Sequence, residues 1–161
     1  MTHSNAAKTE KLPDQVACLL IPMHSSSLLL PNEAIAEVVS DLRPELFPDL
    51  PDWHMGYVEW RGCNLPVVSY EQLTEQGITQ PGASSRLIII NTITGNQQTP
   101  YYGLLSESAP RLMRVFEKDL QQDENTRKVD QYQVSANGEQ AVIPDLNKIE
   151  EMLKTVSHYH A

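Results

Sequence analysis

The chain has 161 residues, 40% hydrophobic and 20% charged, a length and an apolar share that suit one globular core and exclude a fibrous or wholly disordered chain. Twelve Lys and Arg against 21 Asp and Glu leave a net charge of -9, which repels phosphate backbones and anionic membrane surfaces and argues against a nucleic-acid partner. The opening residues lack the apolar stretch of a secretory leader and no apolar run nears the roughly 20 residues of a bilayer span, so a cytoplasmic protein without direct membrane insertion is expected.

Residues 1–14 are small, polar and charged and bury too little apolar surface to offset the entropy of ordering, so they read as a disordered lead-in. Residues 16–21 form a short apolar run bounded by Pro22, a buried strand, and residues 28–30 return after a turn at 24–27. Asn32 is placed as the N-cap of a short helical turn over 33–38, with Ile35 and Val38 on one side. In residues 42–53, Pro44, Pro48 and Pro51 alternate with Leu46, Phe47 and Leu50. Proline fixes φ and lacks a donor, so this is an ordered loop. The runs 57–60 and 65–68 flank Arg61-Gly62-Cys63-Asn64, where Gly62 supplies the freedom of a tight reversal, and predict a β-hairpin.

Residues 76–85 carry Gly77, Pro81, Gly82 and two serines, a connector between two halves of similar length. In the second half, 87–93 and 101–105 flank Thr94-Gly95-Asn96-Gln97. Residues 131–136 and 140–143 flank Asn137-Gly138, a strong two-residue hairpin signal. The charged stretch 117–128 reads as a solvated loop or irregular helix. Leu146, Ile149, Leu153 and Val156 make one apolar stripe of an amphipathic helix with Asp145 as N-cap, and 158–161 form a tail. About eight to ten short strands and one terminal helix argue an all-β barrel or sandwich in a single domain over 15–157.

Little in this pattern points to chemistry. The five histidines form no convincing metal-ligand set, and His158 and His160, the one close pair, fall in the tail. Cys18 and Cys63 match neither a disulfide framework nor a zinc spacing and read as reduced thiols. No nucleophile elbow or phosphate-binding glycine loop is present, so neither an enzyme nor a cofactor is expected. Glu71 and Glu75 could share a helical face as a paired acid and base, but a solvated, mildly repulsive face is favoured. Trp53 and Trp60 suit either core packing or a protein interface. Arg61, on a tight turn, is expected outside the core, paired with an internal carboxylate or reading a partner.

An ordered series of segments resembles the CheW-like domain family over about residues 16–153. Leu29-Leu30-Pro31 with Ile35-Ala36-Glu37-Val38-Val39 is similar to its opening motif, and Pro51-Asp52-Trp53-His54-Met55-Gly56 to a following P-x-W-x-x-G. Glu59-Trp60-Arg61-Gly62-Cys63-Asn64-Leu65-Pro66-Val67-Val68 resembles the signature N-L-R-G-x-x-L-P-V-V-D-L. Tyr101-Tyr102-Gly103-Leu104-Leu105 and the segment from Asn137-Gly138 to Ile149 complete the order. The resemblance implies two small five-stranded SH3/OB-like barrels packed over a shared core with a C-terminal helix. It also implies a non-catalytic adaptor that joins the cytoplasmic tip of a methyl-accepting chemoreceptor to the regulatory domain of a CheA-type histidine kinase. Positions matching the family's receptor contacts are Ile35, Val38, Gly56, Arg61, Leu87 and Leu112; kinase contacts are not assigned. Glu59-Trp60, Ser69 and Glu107 depart from the family pattern and suit an accessory adaptor of a type IV pilus (twitching motility) system. The alternative is a stand-alone β-barrel binding a small ligand or oligomer in a pocket lined by Trp53, Tyr57 and Trp60.

Overall fold

The computed structural model describes residues 15–93, 100–123 and 130–157. The lead-in 1–14, the turn at 94–97, residues 124–128 of the charged stretch and the tail 158–161 therefore lie outside the described residues. In chain order the strands are β1 (Gln15–Pro22), β2 (Ser27–Pro31), β3 (Ile35–Val39), β4 (His54–Trp60), β5 (Cys63–Val68), β6 (Arg86–Asn91), β7 (Tyr101–Ser106), β8 (Arg111–Phe116), β9 (Gln121–Asp123), β10 (Asp130–Ala136) and β11 (Glu139–Pro144). Among the described residues two α-helices accompany them, α1 (Tyr70–Leu73) and α2 (Leu146–Ser157).

The strands form two sheets, β8-β1-β2-β11-β10-β9 and β3-β6-β7-β5-β4. The two expected β units are present, and the three-residue β9 extends the first to six strands. Continuous apolar runs, where one-sided sheets would alternate, follow from burial on both faces. On β2, Leu28 and Leu30 enter the core between the sheets while Leu29 enters a core within the first sheet. On β6, Ile88 and Ile90 face the intersheet core while Leu87 and Ile89 fill the second sheet's own core. Ile149 and Leu153 of α2 complete the intersheet core. Each of these fully buried aliphatic side chains contributes roughly 1.5–3 kcal/mol, so the cores dominate stability.

Local turn chemistry behaves as its residues require. Asn137 and Gly138 have φ of 54° and 84°, and Arg61 and Gly62 have 49° and 77°. Two successive positive φ values are what the two-residue turn of a twisted hairpin needs. Asp145 caps α2 by accepting from Lys148 N–H at 3.1 Å.

Three expectations are corrected. The helical turn at 33–38 is instead a three-residue 3-10 turn, Asn32–Ala34, followed by β3, and Asn32 caps nothing. The β-branched Ile35, Val38 and Val39 favour pairing with β6, and a register shift between Ile35 and Glu37 puts Ile35 and Val38 opposite Ile90 and Ile88. A bulged strand thereby imitates the three-residue spacing of a helix. Second, the connector at 76–85 does not divide the sheets, since β6 and β7 beyond it join β3, β4 and β5, while β8 to β11 return to β1 and β2. Third, the stretch beginning at residue 117 opens as an irregular helix, the 3-10 turn Glu117–Asp119, but continues as the strand β9, and the unforeseen β8 precedes it.

One core residue carries a test. Tyr102 is fully buried, and its hydroxyl has no hydrogen-bond partner among the described residues. Burial, and then the Glu150 carboxylate, push its phenol well above the ordinary value of 10.0. A raised folded pKa contributes stability that is present below the unfolded value and lost as pH rises past it, so alkaline destabilisation begins near pH 10. Tyr102→Phe is expected to flatten that alkaline limb and leave neutral-pH stability within about 1 kcal/mol of the parent, or above it, because no hydrogen bond is lost. Urea titrations at pH 7 and at alkaline pH measure both, and an unchanged alkaline limb would refute the assignment.

Candidate partner-docking site

The edge strands of the second sheet, β3 and β4, are tied by side chains. Trp60, at the end of β4, donates from Nε1 to Glu37 Oε1 on β3 at 2.9 Å. Arg61 Nη2 pairs with the same oxygen at 3.1 Å, and its guanidinium lies 5.1 Å from the centroid of the Trp60 ring. Trp60 is 9% exposed and its ring fills the sheet's own core, whereas the Arg61 side chain is 71% exposed. An exposed ion pair is worth about 0–1 kcal/mol and an exposed cation–π contact about 0.5–1 kcal/mol. Arg61 is thus held in place yet able to exchange partners at small cost. Farther along β4 the loop at 42–53 joins the seam, for Glu45 N–H donates to Tyr57 O at 2.8 Å and Tyr57 N–H to Glu45 O at 3.1 Å.

The six positions singled out from sequence separate into two groups. Val38 is 38% exposed and Ile35 is half-buried, packed on the intersheet core. Leu112 is 59% exposed on β8, the edge strand of the first sheet, opposite Leu19, which also packs on the intersheet core. With Arg61, these three present accessible side chains. Leu87 is 1% exposed inside the second sheet, and Gly56 is buried beneath the Glu45 carbonyl, so neither offers side-chain surface. Glu37 was missed as a site residue: it lies within the segment that carries the resemblance, but only the fold brings it to Trp60 and Arg61.

Elsewhere the polar residues hold structure. Glu71 is 3% exposed, which overturns the expected solvated face. It accepts from His24 N–H of the β1–β2 turn at 2.7 Å and from Thr79 Oγ1 at 2.6 Å. Among the described residues no group of three His, Cys, Asp or Glu side chains could hold a metal ion, and no helix is long and apolar enough to cross a membrane. Burial pushes the Cys18 thiol upward, which makes it a poor nucleophile at neutral pH.

The model of the CheW-like domain matches residues 17–153. The chain belongs to the CheW-like domain family. No curated protein matches it. Among solved structures it is similar to the scaffolding protein TtCheW from Thermoanaerobacter tengcongensis, at a TM-score of 0.70 and 17% identity over 83% of this chain and 89% of that one. The likeness is one of fold. Two departures from the CheW-like signature have a structural account. Ser69 replaces an Asp and caps α1 by accepting from Gln72 N–H at 3.2 Å, a role both residue types perform. Trp60 replaces a Leu in the second sheet's core and adds the bond to Glu37.

Proposed function

We propose that this protein is a non-catalytic chemosensory scaffold that couples methyl-accepting chemoreceptors to a CheA-type histidine kinase. The observation that carries this reading is membership of the CheW-like family across residues 17–153 together with an accessible Arg61 on the β3–β4 seam. The receptor's helical hairpin tip docks on Ile35, Val38, Arg61 and Leu112: apolar side chains cover the helix faces and the guanidinium reads a carboxylate or carbonyl. Gly56 and Leu87, the other two positions of the resemblance, are buried and offer the tip no side chain. The kinase's regulatory domain occupies a different face. Work in the cytoplasm and an accessory place in a type IV pilus (twitching motility) system complete the proposal; the pilus assignment rests on the departures at Glu59-Trp60, Ser69 and Glu107.

Titration calorimetry of the purified chain against the kinase regulatory domain, and separately against a receptor cytoplasmic hairpin from the same genome, tests the reading. Binding to both, on the order of micromolar, is the expected result. Absence of binding to either partner would overturn it. The small-ligand alternative finds little support: Tyr57 and Trp60 are 8% and 9% exposed in packed surroundings. A shallow groove lies elsewhere, lined by Asp49, Leu50, Pro51, Thr155 and Val156.

A further inference from the structure

We infer that Glu71 and Glu150 are reciprocal clasps that turn the contact between the two sheets into a fixed joint, so that these two carboxyl groups set the angle of one sheet to the other. The inference concerns the chain alone and is independent of the docking reading above.

Among the described residues Glu71 and Glu150 are the two buried acidic side chains, each 3% exposed. Each reaches out of the sheet to which its helix is joined. Glu71 lies on α1, which follows β5 of the second sheet, and its Oε2 accepts from the His24 N–H in the β1–β2 turn of the first sheet at 2.7 Å. Glu150 lies on α2, which follows β11 of the first sheet, and its Oε2 accepts from the Ile93 N–H just past β6 of the second sheet at 2.8 Å. The two bonds thus run in opposite directions between the sheets. Burying a carboxylate is a costly way to hold two apolar surfaces together, because an apolar side chain of similar size avoids the desolvation. What the carboxylate adds is a strong bond of defined direction.

Direction is what the apolar part of the interface lacks. The core between the sheets is built of side chains such as Ile21, Leu30, Ile88 and Leu104, whose burial is non-directional and tolerates sliding of one packed surface on the other. The chain itself passes between the sheets at residues 32–34 and 107–110. Each passage is pinned by a hydrogen bond, Asn91 Nδ2 donating to Glu33 O at 3.4 Å and Glu107 N–H to Pro22 O at 2.9 Å. An attachment at one point lets a sheet swivel about it. The clasps supply the second point at each end, for His24 lies two residues after Pro22 and Ile93 two residues after Asn91. The exposed bond from Ser25 to Gln76 reinforces the first end. A load on the β1–β2 turn therefore passes through Glu71 to α1 beside the second sheet, and a load at the end of β6 passes through Glu150 to α2 beside the first.

Residual dipolar couplings of the backbone amides, measured on the full chain, test the joint, because they report the orientation of each sheet separately from stability. One alignment tensor is expected to fit both sheets of the parent in the geometry described above; a parent that needs two would overturn the inference at once. Glu71→Met and Glu150→Met keep an unbranched side chain of similar length but remove the acceptor. Each is expected to raise the misfit of the shared tensor at least twofold, and the double variant to raise it further, while either sheet fitted alone agrees with its own geometry as well as in the parent. A double variant that one tensor still fits in the parent geometry would overturn the inference, since the apolar core and the two passages would then set the angle without the clasps. Misfit inside a single sheet would overturn it as well, by making that carboxyl a support of its own sheet. Should a Met variant not fold, Glu71→Gln or Glu150→Gln, which keeps a weaker neutral acceptor, takes its place with the same readings.

Discussion

Arg61→Glu is expected to weaken receptor-hairpin binding at least tenfold while shifting the melting midpoint by less than about 4 °C, the change that 1 kcal/mol produces in a domain of this size. The small stability effect follows from exposure. Arg61 is 71% exposed, so its ion pair with Glu37 is screened and worth about 0–1 kcal/mol. The seam itself survives, because Trp60 still donates to Glu37. Arg and Glu also meet the same backbone cost at φ 49°. The large binding effect follows, on the proposed docking, from charge reversal at a residue that presents a donor to the receptor hairpin. Calorimetry of both partners with a parallel melt separates the two effects. A variant that binds the hairpin as the parent does would remove Arg61 from the site. One that fails to bind either partner and melts far earlier would mark it as a structural residue.

Glu71→Ala is expected to cost about 3 kcal/mol and to lower the melting midpoint by roughly 6–12 °C. The carboxylate is 3% exposed and holds two groups from distant parts of the chain, His24 N–H of the first sheet's β1–β2 turn and the Thr79 hydroxyl of the connector. Ser69, the cap of α1, hydrogen-bonds the same Thr79 hydroxyl. Truncation leaves the part-buried His24 N–H without its acceptor and leaves the Thr79 hydroxyl only Ser69 as a partner, which is the expensive direction of a hydrogen-bond deletion. Glu71→Gln retains one carbonyl acceptor and should lose about half as much. Ser25 Oγ donates to Gln76 Oε1 beside this cluster and supplies a weaker second tie between the turn and the connector. Urea midpoints for the three proteins test the ranking. A Glu71→Ala midpoint equal to the parent's would mean that water replaces the carboxylate at no cost.

These two residues illustrate what a sequence exposes and what it hides. Arg61 was legible because its neighbour Gly62 announces a tight turn, and a guanidinium on a turn has few ways to be buried. Glu71 was not, because a carboxylate spaced four residues from another looks the same whether its helix faces water or the opposite sheet. Its partners are 47 and 8 residues away, beyond any local pattern. Val38 was singled out with the wrong local structure, since the register shift in β3 gives a strand the spacing of a helix stripe.

The sequence by itself determined the β class, the two hairpins at Arg61-Gly62 and Asn137-Gly138, the terminal helix with its Asp145 cap, and the family, because turn chemistry, apolar period and ordered motifs are local properties of the chain. Only the tertiary structure decided that the two sheets interleave across the connector, that Glu37 closes the β3–β4 seam, that Gly56 lies beneath Leu46, and that Leu87 is a core residue. Each depends on which distant strands pair and in what register. That choice is made by burying all the apolar runs at once, so no single segment reveals it.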